Sequence, residues 1–356
     1  MNITGRQIGS DQPVYIIAEI GVNHDGNVDR ALELVQQCAA ADVDAVKLQL
    51  FTADLLLSKK AVLAEYQKRS GAGDPFRMLR QLELGIEEMG RVVDAAHRHG
   101  LHAVVSIFSV ELVQQAAELA WDAFKIASPD IVHHPLLREI AARERPMIVS
   151  TGAANAAEVT AAARLLAGVR DLSFLHCISA YPVPLREANL AAIPALAGLV
   201  AEAARRPLPV GYSDHTSEIH TGALAVACGA VMLEKHVTWS RAASGPDHAA
   251  SLEPADLARY VQSAREAGEA LGPRRKHVTD IEREVRDKSR QSVIASTDLP
   301  AGHVLRKEDL TFKRPGSGIY PCDLENITGR RLLVPVPADT PLTREMLAPA
   351  AVTAPG

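Results

Sequence analysis

The chain has 356 residues, of which 47% are hydrophobic and 23% charged, and its 38 Lys plus Arg against 43 Asp plus Glu leave a formal net charge of −5. This balance is ordinary for a globular protein and excludes disorder or a fibrous repeat, while the length allows two or three domains, or one large barrel with an addition. An acidic chain with no long basic run is poorly matched to nucleic acid or an anionic membrane, so any anionic ligand must be held by a local pocket.

The N-terminal segment MNITGRQIGSDQPVYIIAEIG lacks the basic-then-apolar pattern of a signal peptide, and no stretch approaches 18 uninterrupted apolar residues. Cys38, Cys177, Cys228 and Cys322 lie far apart with no C-x-x-C pair. A cytoplasmic protein with reduced thiols is expected. From residue 14 onward, eight β-rich runs follow in order: 14–20, 44–50, 102–108, 122–127, 146–150, 171–177, 207–213 and 230–236. Most are nearly continuous apolar runs ending in polar residues, as parallel strands covered on both sides require. Helical periodicity fills the gaps. Val28, Ala31, Leu32, Val35, Cys38 and Ala39 share one face behind a candidate N-cap, Asn27. Ile86, Met89, Val92, Val93 and Ala96 form a second stripe, and Leu257, Tyr260, Val261 and Ala264 a last one.

Eight β/α alternations in about 260 residues predict an α/β fold of the (β/α)8 TIM-barrel type. The competing doubly wound sheet would place a Gly-rich phosphate loop after its first strand. GVNHDGN stands there instead, with no G-x-G-x-x-G. The expected division is a barrel over 1–272, a charged linker over 273–290, and a small, turn-rich β domain over 291–350. A long insertion at 52–84 separates the second strand from its helix, and the tail AVTAPG is expected to fray.

Catalytic side chains of such barrels come from the C-terminal ends of the strands. There the sequence offers Glu19; Lys47 and Gln49; Ser106; Lys125, Ser128 and Asp130; Ser150; His176, Ser179 and Tyr181; Ser213, Asp214 and His215; and Glu234 and His236. Lys47 and Lys125 with the hydroxyls of Ser106, Ser128, Ser150 and Ser213 suit a phosphate or carboxylate. His215 and His236, on neighbouring strand ends, suit a divalent metal with open positions for substrate oxygens. Plainer readings stand beside these. Strand-end serines cap helices, the lysines can pair with Glu19 or Glu234 in a structural network, and two histidines can be hydrogen-bonded core residues.

The ordered set IIAEIGVNHDGN, KLQLF, AEYQKRS, KIASPD, STGAA, LHCISAYP, GYSDHT, EKHVT and GPDHAASLEP resembles the N-acetylneuraminate (sialic acid) synthase family. The C-terminal RQSVIASTDLPAGHVL, LTFKRPGSGI and ITGRRL resemble that family's antifreeze-like (SAF) domain. The resemblance implies condensation of phosphoenolpyruvate with an N-acetylated aldohexose, such as N-acetylmannosamine or a bacillosamine-derived relative, to a nonulosonic 2-keto acid and phosphate. It implies Mn²⁺ or Mg²⁺ at His215 and His236. Glu19, Gln49, Asp130, Tyr181 and Asp247 match positions that contact the acceptor or assist proton transfer, and Glu234 is a candidate either for handling the attacking water or for orienting His236. Arg314 in KRPGSG matches an arginine that reaches the partner's barrel in a domain-swapped homodimer. Three departures, Ser106-Ile107-Phe108, Ser179 and the SRQS opening of the small domain, bear on the acceptor more than on the reaction.

Overall fold

The computed structural model describes residues 1–62, 74–272 and 275–349. The motif AEYQKRS (64–70) therefore lies outside the described residues. A short antiparallel hairpin, β1 (Asn2–Ile3) and β2 (Arg6–Gln7), leads into eight parallel strands. They are β3 (Tyr15–Glu19), β4 (Ala45–Leu50), β5 (His102–Ile107), β6 (Ala123–Ile126), β7 (Met147–Ser150), β8 (Leu172–Cys177), β9 (Val210–Asp214) and β10 (Met232–His236). The sheet closes through β10 pairing with β3, with Glu19 opposite both His236 and Lys47. All eight predicted strands are present, and the TIM barrel stands.

Strand parity sorts the side chains into two layers. Val14, Ile16, Ala18 and Ile20 point outward into the main apolar layer, with Val46, Leu48, Val105, Phe124 and Val149 from the neighbouring strands. Inward, Tyr15, Ile17, Ala45, Val104, Ala123, Ile148, Leu175 and Met232 make a separate apolar core, which Ile3 and Ile8 of the hairpin segment join. Sequence reading missed that hairpin because its strands are two residues long, joined at Thr4 and Gly5 with positive φ (43° and 91°).

The helices follow their stripes. In Val28–Ala40, Asn27 accepts from the amides of Asp29 and Arg30, and Ala31, Leu34, Val35 and Cys38 are buried. Burying each such Leu or Val side chain contributes about 1.5–3 kcal/mol, which makes packing rather than propensity the source of the helix's stability. Pro254–Leu271 starts with proline in its first turn and buries Leu257, Tyr260, Val261 and Ala264, the four predicted residues. Residues 185–204 are long and apolar enough to cross a membrane (mean hydropathy 1.2). Ala192–Ala204 within them nevertheless buries Ile193, Leu196, Val200 and Ala204 in the core.

The chain divides into two compact units, Met1–Gly272 and Pro273–Gly356. In the second, β11 (Ser292–Ala295) pairs antiparallel with β12 (Leu310–Lys313) over a core of Val293, Ala295, Leu299, Leu305, Ile319, Ile327, Leu332, Val336, Leu342 and Leu347. The helix Asp280–Ser289, opened by the Thr279/Glu282 capping box, occupies much of the charged stretch.

Candidate active site

The inward parity that carries apolar residues low in the barrel carries polar ones at its C-terminal end. Glu19 sits two residues beyond Ile17, Lys47 beyond Ala45, Ser106 beyond Val104, Lys125 beyond Ala123, Ser150 beyond Ile148 and Glu234 beyond Met232. All six are buried. Lys47 Nζ contacts Glu19 Oε2, donates to Ser106 Oγ at 3.1 Å, and lies 3.8 Å from Glu234 Oε1. Lys125 Nζ lies 3.5 Å from the same Glu234 oxygen, which also accepts from Ser213 Oγ at 3.2 Å. Gln49 donates to Gly21 O and lies 3.4 Å from Glu19 Oε2. The lysine–carboxylate network left open by the sequence thus exists, and it stands inside the site.

Buried charges of this kind are costly unless paired, and the pairing tunes them. Burial pushes the Lys47 ammonium well below its usual range, against the pull of Glu234. Burial alone would raise Glu234, but Lys125, Lys47, His215 and the Ser213 hydroxyl outweigh it and hold the carboxyl below its ordinary value. His236 is driven far down by burial and by its cationic neighbours, so its imidazole is neutral. Asp247 is pushed up to about 6 by burial, with His215, His248 and Lys47 pulling the other way.

His215 and His236 face one another with ring centroids 5.2 Å apart, and the Tyr181 ring stacks on His215 at 4.1 Å. His215 Nδ1 pairs with Ile178 O at 2.8 Å, leaving Nε2 3.4 Å from Ser213 Oγ. His236 Nδ1, Glu234 Oε2 and Ser150 Oγ are buried with no hydrogen-bond partner among the described residues, although Asp247 Oδ2 lies 3.4 Å from the first. Ligand atoms of Glu19, Glu234 and His236 lie within 4.8 Å of one another, a possible cation site that sequence spacing did not indicate. Orphaned polar atoms in a buried carboxylate–imidazole set fit a divalent cation, because an unpaired buried donor or acceptor is otherwise penalised.

Beside this set lies a hydroxyl cradle. A Cβ on Gly152 would stand 2.3 Å from Ser179 Oγ, 2.8 Å from Ser128 Oγ and 3.0 Å from Cys177 Sγ, so only glycine admits their convergence. The Gly152 amide donates to Ser128 Oγ at 3.1 Å. Cys177, which sequence reading passed over, lies 3.7 Å from His215 Nδ1. Burial raises its thiol, but His215 and Ser128 outweigh burial and bring it below its ordinary value. The signal was available, since Cys177 ends a strand with inward parity.

Not every strand-end polar residue joins the site. His176 points outward, bonds Ala188 O at 3.0 Å and stacks on Tyr212. Asp214 also points outward, paired with the fully buried Lys235 at 3.1 Å. Asp130, half-buried in the turn after β6, has its carboxyl raised to about 6 by burial, against His133 and Lys125. Arg314 belongs to the second unit, where it is exposed and lines a cleft of about 440 Å³ with Arg290 and Tyr320.

The NeuB family matches residues 34–276 and the SAF domain residues 290–348. An N,N'-diacetyllegionaminic acid synthase of Legionella pneumophila is 37% identical over 345 residues, covering 95% of each chain. One of the same name from Campylobacter jejuni is 36% identical, covering 88% of this chain and 94% of its own. The crystal structure of the N-acetylneuraminic acid synthetase of Leptospira borgpetersenii, in complex with citrate, superposes with a TM-score of 0.72 at 29% identity, over 80% of this chain and 94% of that one. The chain is an enzyme of the NeuB family with a C-terminal SAF domain.

Proposed function

We propose that this NeuB-family chain condenses phosphoenolpyruvate with the open-chain aldehyde of an N-acetylated hexose, yielding a nonulosonic 2-keto acid and phosphate. In balance, C3 of phosphoenolpyruvate bonds to the aldehyde carbon, water adds its oxygen at C2, and the C2–O bond to phosphate breaks. The observation that carries the reading is the buried convergence of Lys47 and Lys125 with unpartnered polar atoms of Ser150, Glu234 and His236.

Lys47 and Lys125 neutralise the donor's phosphate and carboxylate, while Ser106, Ser128, Ser150, Ser179 and Ser213 supply hydroxyls that orient its oxygens. His215 and His236 hold a divalent cation, Mn²⁺ or Mg²⁺, with Glu19 and Glu234 alongside; bound there, it supplies electrophilic polarisation of the aldehyde oxygen. Glu234 orients water for attack at C2. Gln49, Asp130, Tyr181 and Asp247 bind the acceptor, and Arg314 serves it in a domain-swapped homodimer. Similarity to two legionaminic acid synthases favours a 2,4-diacetamido-trideoxyhexose over N-acetylmannosamine as that acceptor. The protein is expected in the cytoplasm, where phosphoenolpyruvate is available.

Phosphate release with phosphoenolpyruvate, Mn²⁺ and a panel of N-acetylated hexoses tests the reading. Turnover dependent on sugar, cation and donor together is expected. Absence of turnover with every acceptor, alongside tight sugar binding, would reduce the protein to a sugar-binding scaffold.

A further inference from the structure

The loop after the first barrel strand, GVNHDGN, has no role in the reaction as assigned. Its contacts give it one. Asp247 lies on the long irregular loop between β10 and the helix Pro254–Leu271. A single 3-10 turn at His248–Ala250 and the Val237–Leu252 bridge give this loop a few backbone hydrogen bonds, and tertiary side-chain contacts fix the rest. Those contacts come across the barrel's closing seam, where β10 meets β3.

We propose that Asn23 and Asp25 are positioning residues that hold Asp247 against His236 by tying down the chain on the C-terminal side of Asp247. Asn23, fully buried, donates through Nδ2 to Val237 O and to Ser251 Oγ, each at 2.8 Å. Ser251 Oγ in turn donates to Asp247 O at 2.7 Å. Asp25 Oδ1 bonds His248 Nε2 at 2.9 Å, and the other ring nitrogen of His248 pairs with Thr238 Oγ1 at 2.7 Å. Asp25 Oδ2 accepts from Trp239 Nε1 at 3.1 Å and contacts the Arg30 guanidinium, which covers the Trp239 ring at 4.5 Å.

Donors from three side chains thus meet on one carboxylate, and Asp25 takes a left-handed φ of 53° to present it. Gly245 completes the wrap, since a Cβ there would stand 2.6 Å from His248 Cδ2. The residue next to Asp247 and the group bonded to its carbonyl are therefore both anchored to residues 23–25. The Asp247 carboxylate inherits its position from them. A merely structural tie would affect stability alone; a positioning tie must act through Asp247.

This inference rests on the assignment of Asp247 to the acceptor, and a double-mutant cycle keeps the two apart. The full-length protein carrying Asp25→Ala should show a rise of roughly tenfold in acceptor KM with 2,4-diacetamido-trideoxyhexose or N-acetylmannosamine, while the KM for phosphoenolpyruvate stays within twofold. The pair Asp25→Ala/Asp247→Ala should be no worse than Asp247→Ala alone. Amide exchange at 245–251 should accelerate in Asp25→Ala, a readout that needs no turnover, and Asp25→Asn should restore part of the protection. The positioning role is overturned if Asp247→Ala raises acceptor KM and Asp25→Ala does not, if the two losses multiply, or if exchange at 245–251 is unchanged. Should Asp247→Ala itself leave acceptor KM unchanged, the acceptor assignment fails, and the role inferred for Asp25 goes with it.

Discussion

The lower and upper halves of the barrel interior are built by the same strands with the same parity, yet they differ in what they bury. Below, Tyr15, Ile17, Ala45, Val104, Ala123, Ile148, Leu175 and Met232 pack as an apolar core joined by Ile3 and Ile8. One strand step of two residues higher stand Glu19, Lys47, Ser106, Lys125, Ser150, Leu175's successor Cys177, and Glu234, equally buried but charged or polar. The lower layer gains free energy from burial, whereas the upper layer gives some up to keep charges out of water. Stability and chemistry are thus separated by about 7 Å along each strand, at roughly 3.3 Å per residue.

Substitutions in the two layers should therefore part company. The largest effect is expected in the upper layer. Lys125→Met removes a cation while filling its volume, and kcat/KM should fall by roughly 10²–10³, the range seen when one oriented electrostatic contact is lost. Its melting temperature should hold or rise, because Glu234 keeps Lys47 at 3.8 Å and Ser213 at 3.2 Å. In the lower layer, Ile148→Ala should cost about 2–4 kcal/mol of unfolding free energy by denaturant titration. Its KM values should remain within twofold of the parent. A lower-layer variant with lost substrate affinity but intact stability would erase the distinction.

Parity also explains how much could be read in advance. The strands, their order and the inward set Glu19, Lys47, Gln49, Lys125, Ser150, Ser213, Glu234 and His236 were legible, because an apolar run with a polar end states both direction and layer. Side chains that depend on sequence-distant partners were not. Parity turns Asp214 and His176 outward, but nothing local names the partners that accept them there, such as the buried Lys235 that pairs with Asp214 behind the sheet. The carboxylates Glu19 and Glu234 beside His236 needed the closure of β10 onto β3 to become neighbours. The hairpin at residues 2–7 was too short for any period to register.

A smaller effect sharpens the comparison at the rim, where the upper layer meets solvent. Burial raises the Asp130 carboxyl to about 6, as it does that of Asp247, so both acceptor-side carboxylates lose their charge over the same pH range. At saturating phosphoenolpyruvate, acceptor KM should rise as pH falls through 6, by about tenfold one unit below that pKa if the charged form is the one that binds. Asp130→Asn should raise KM and remove Asp130's share of this dependence, leaving the share that Asp247 carries. The stability sign is opposite. A carboxyl whose folded pKa exceeds its unfolded 3.8 holds more protons in the native state between about 4 and 6, so stability falls as pH rises through that window and stays lower above it. Asp130→Asn should consequently melt higher than the parent at pH 7 and indistinguishably from it near pH 4. An unchanged pH profile of acceptor KM would remove Asp130 from the acceptor site, while a variant that melted lower at pH 7 would show that its carboxylate stabilises the fold rather than serving the ligand at a cost.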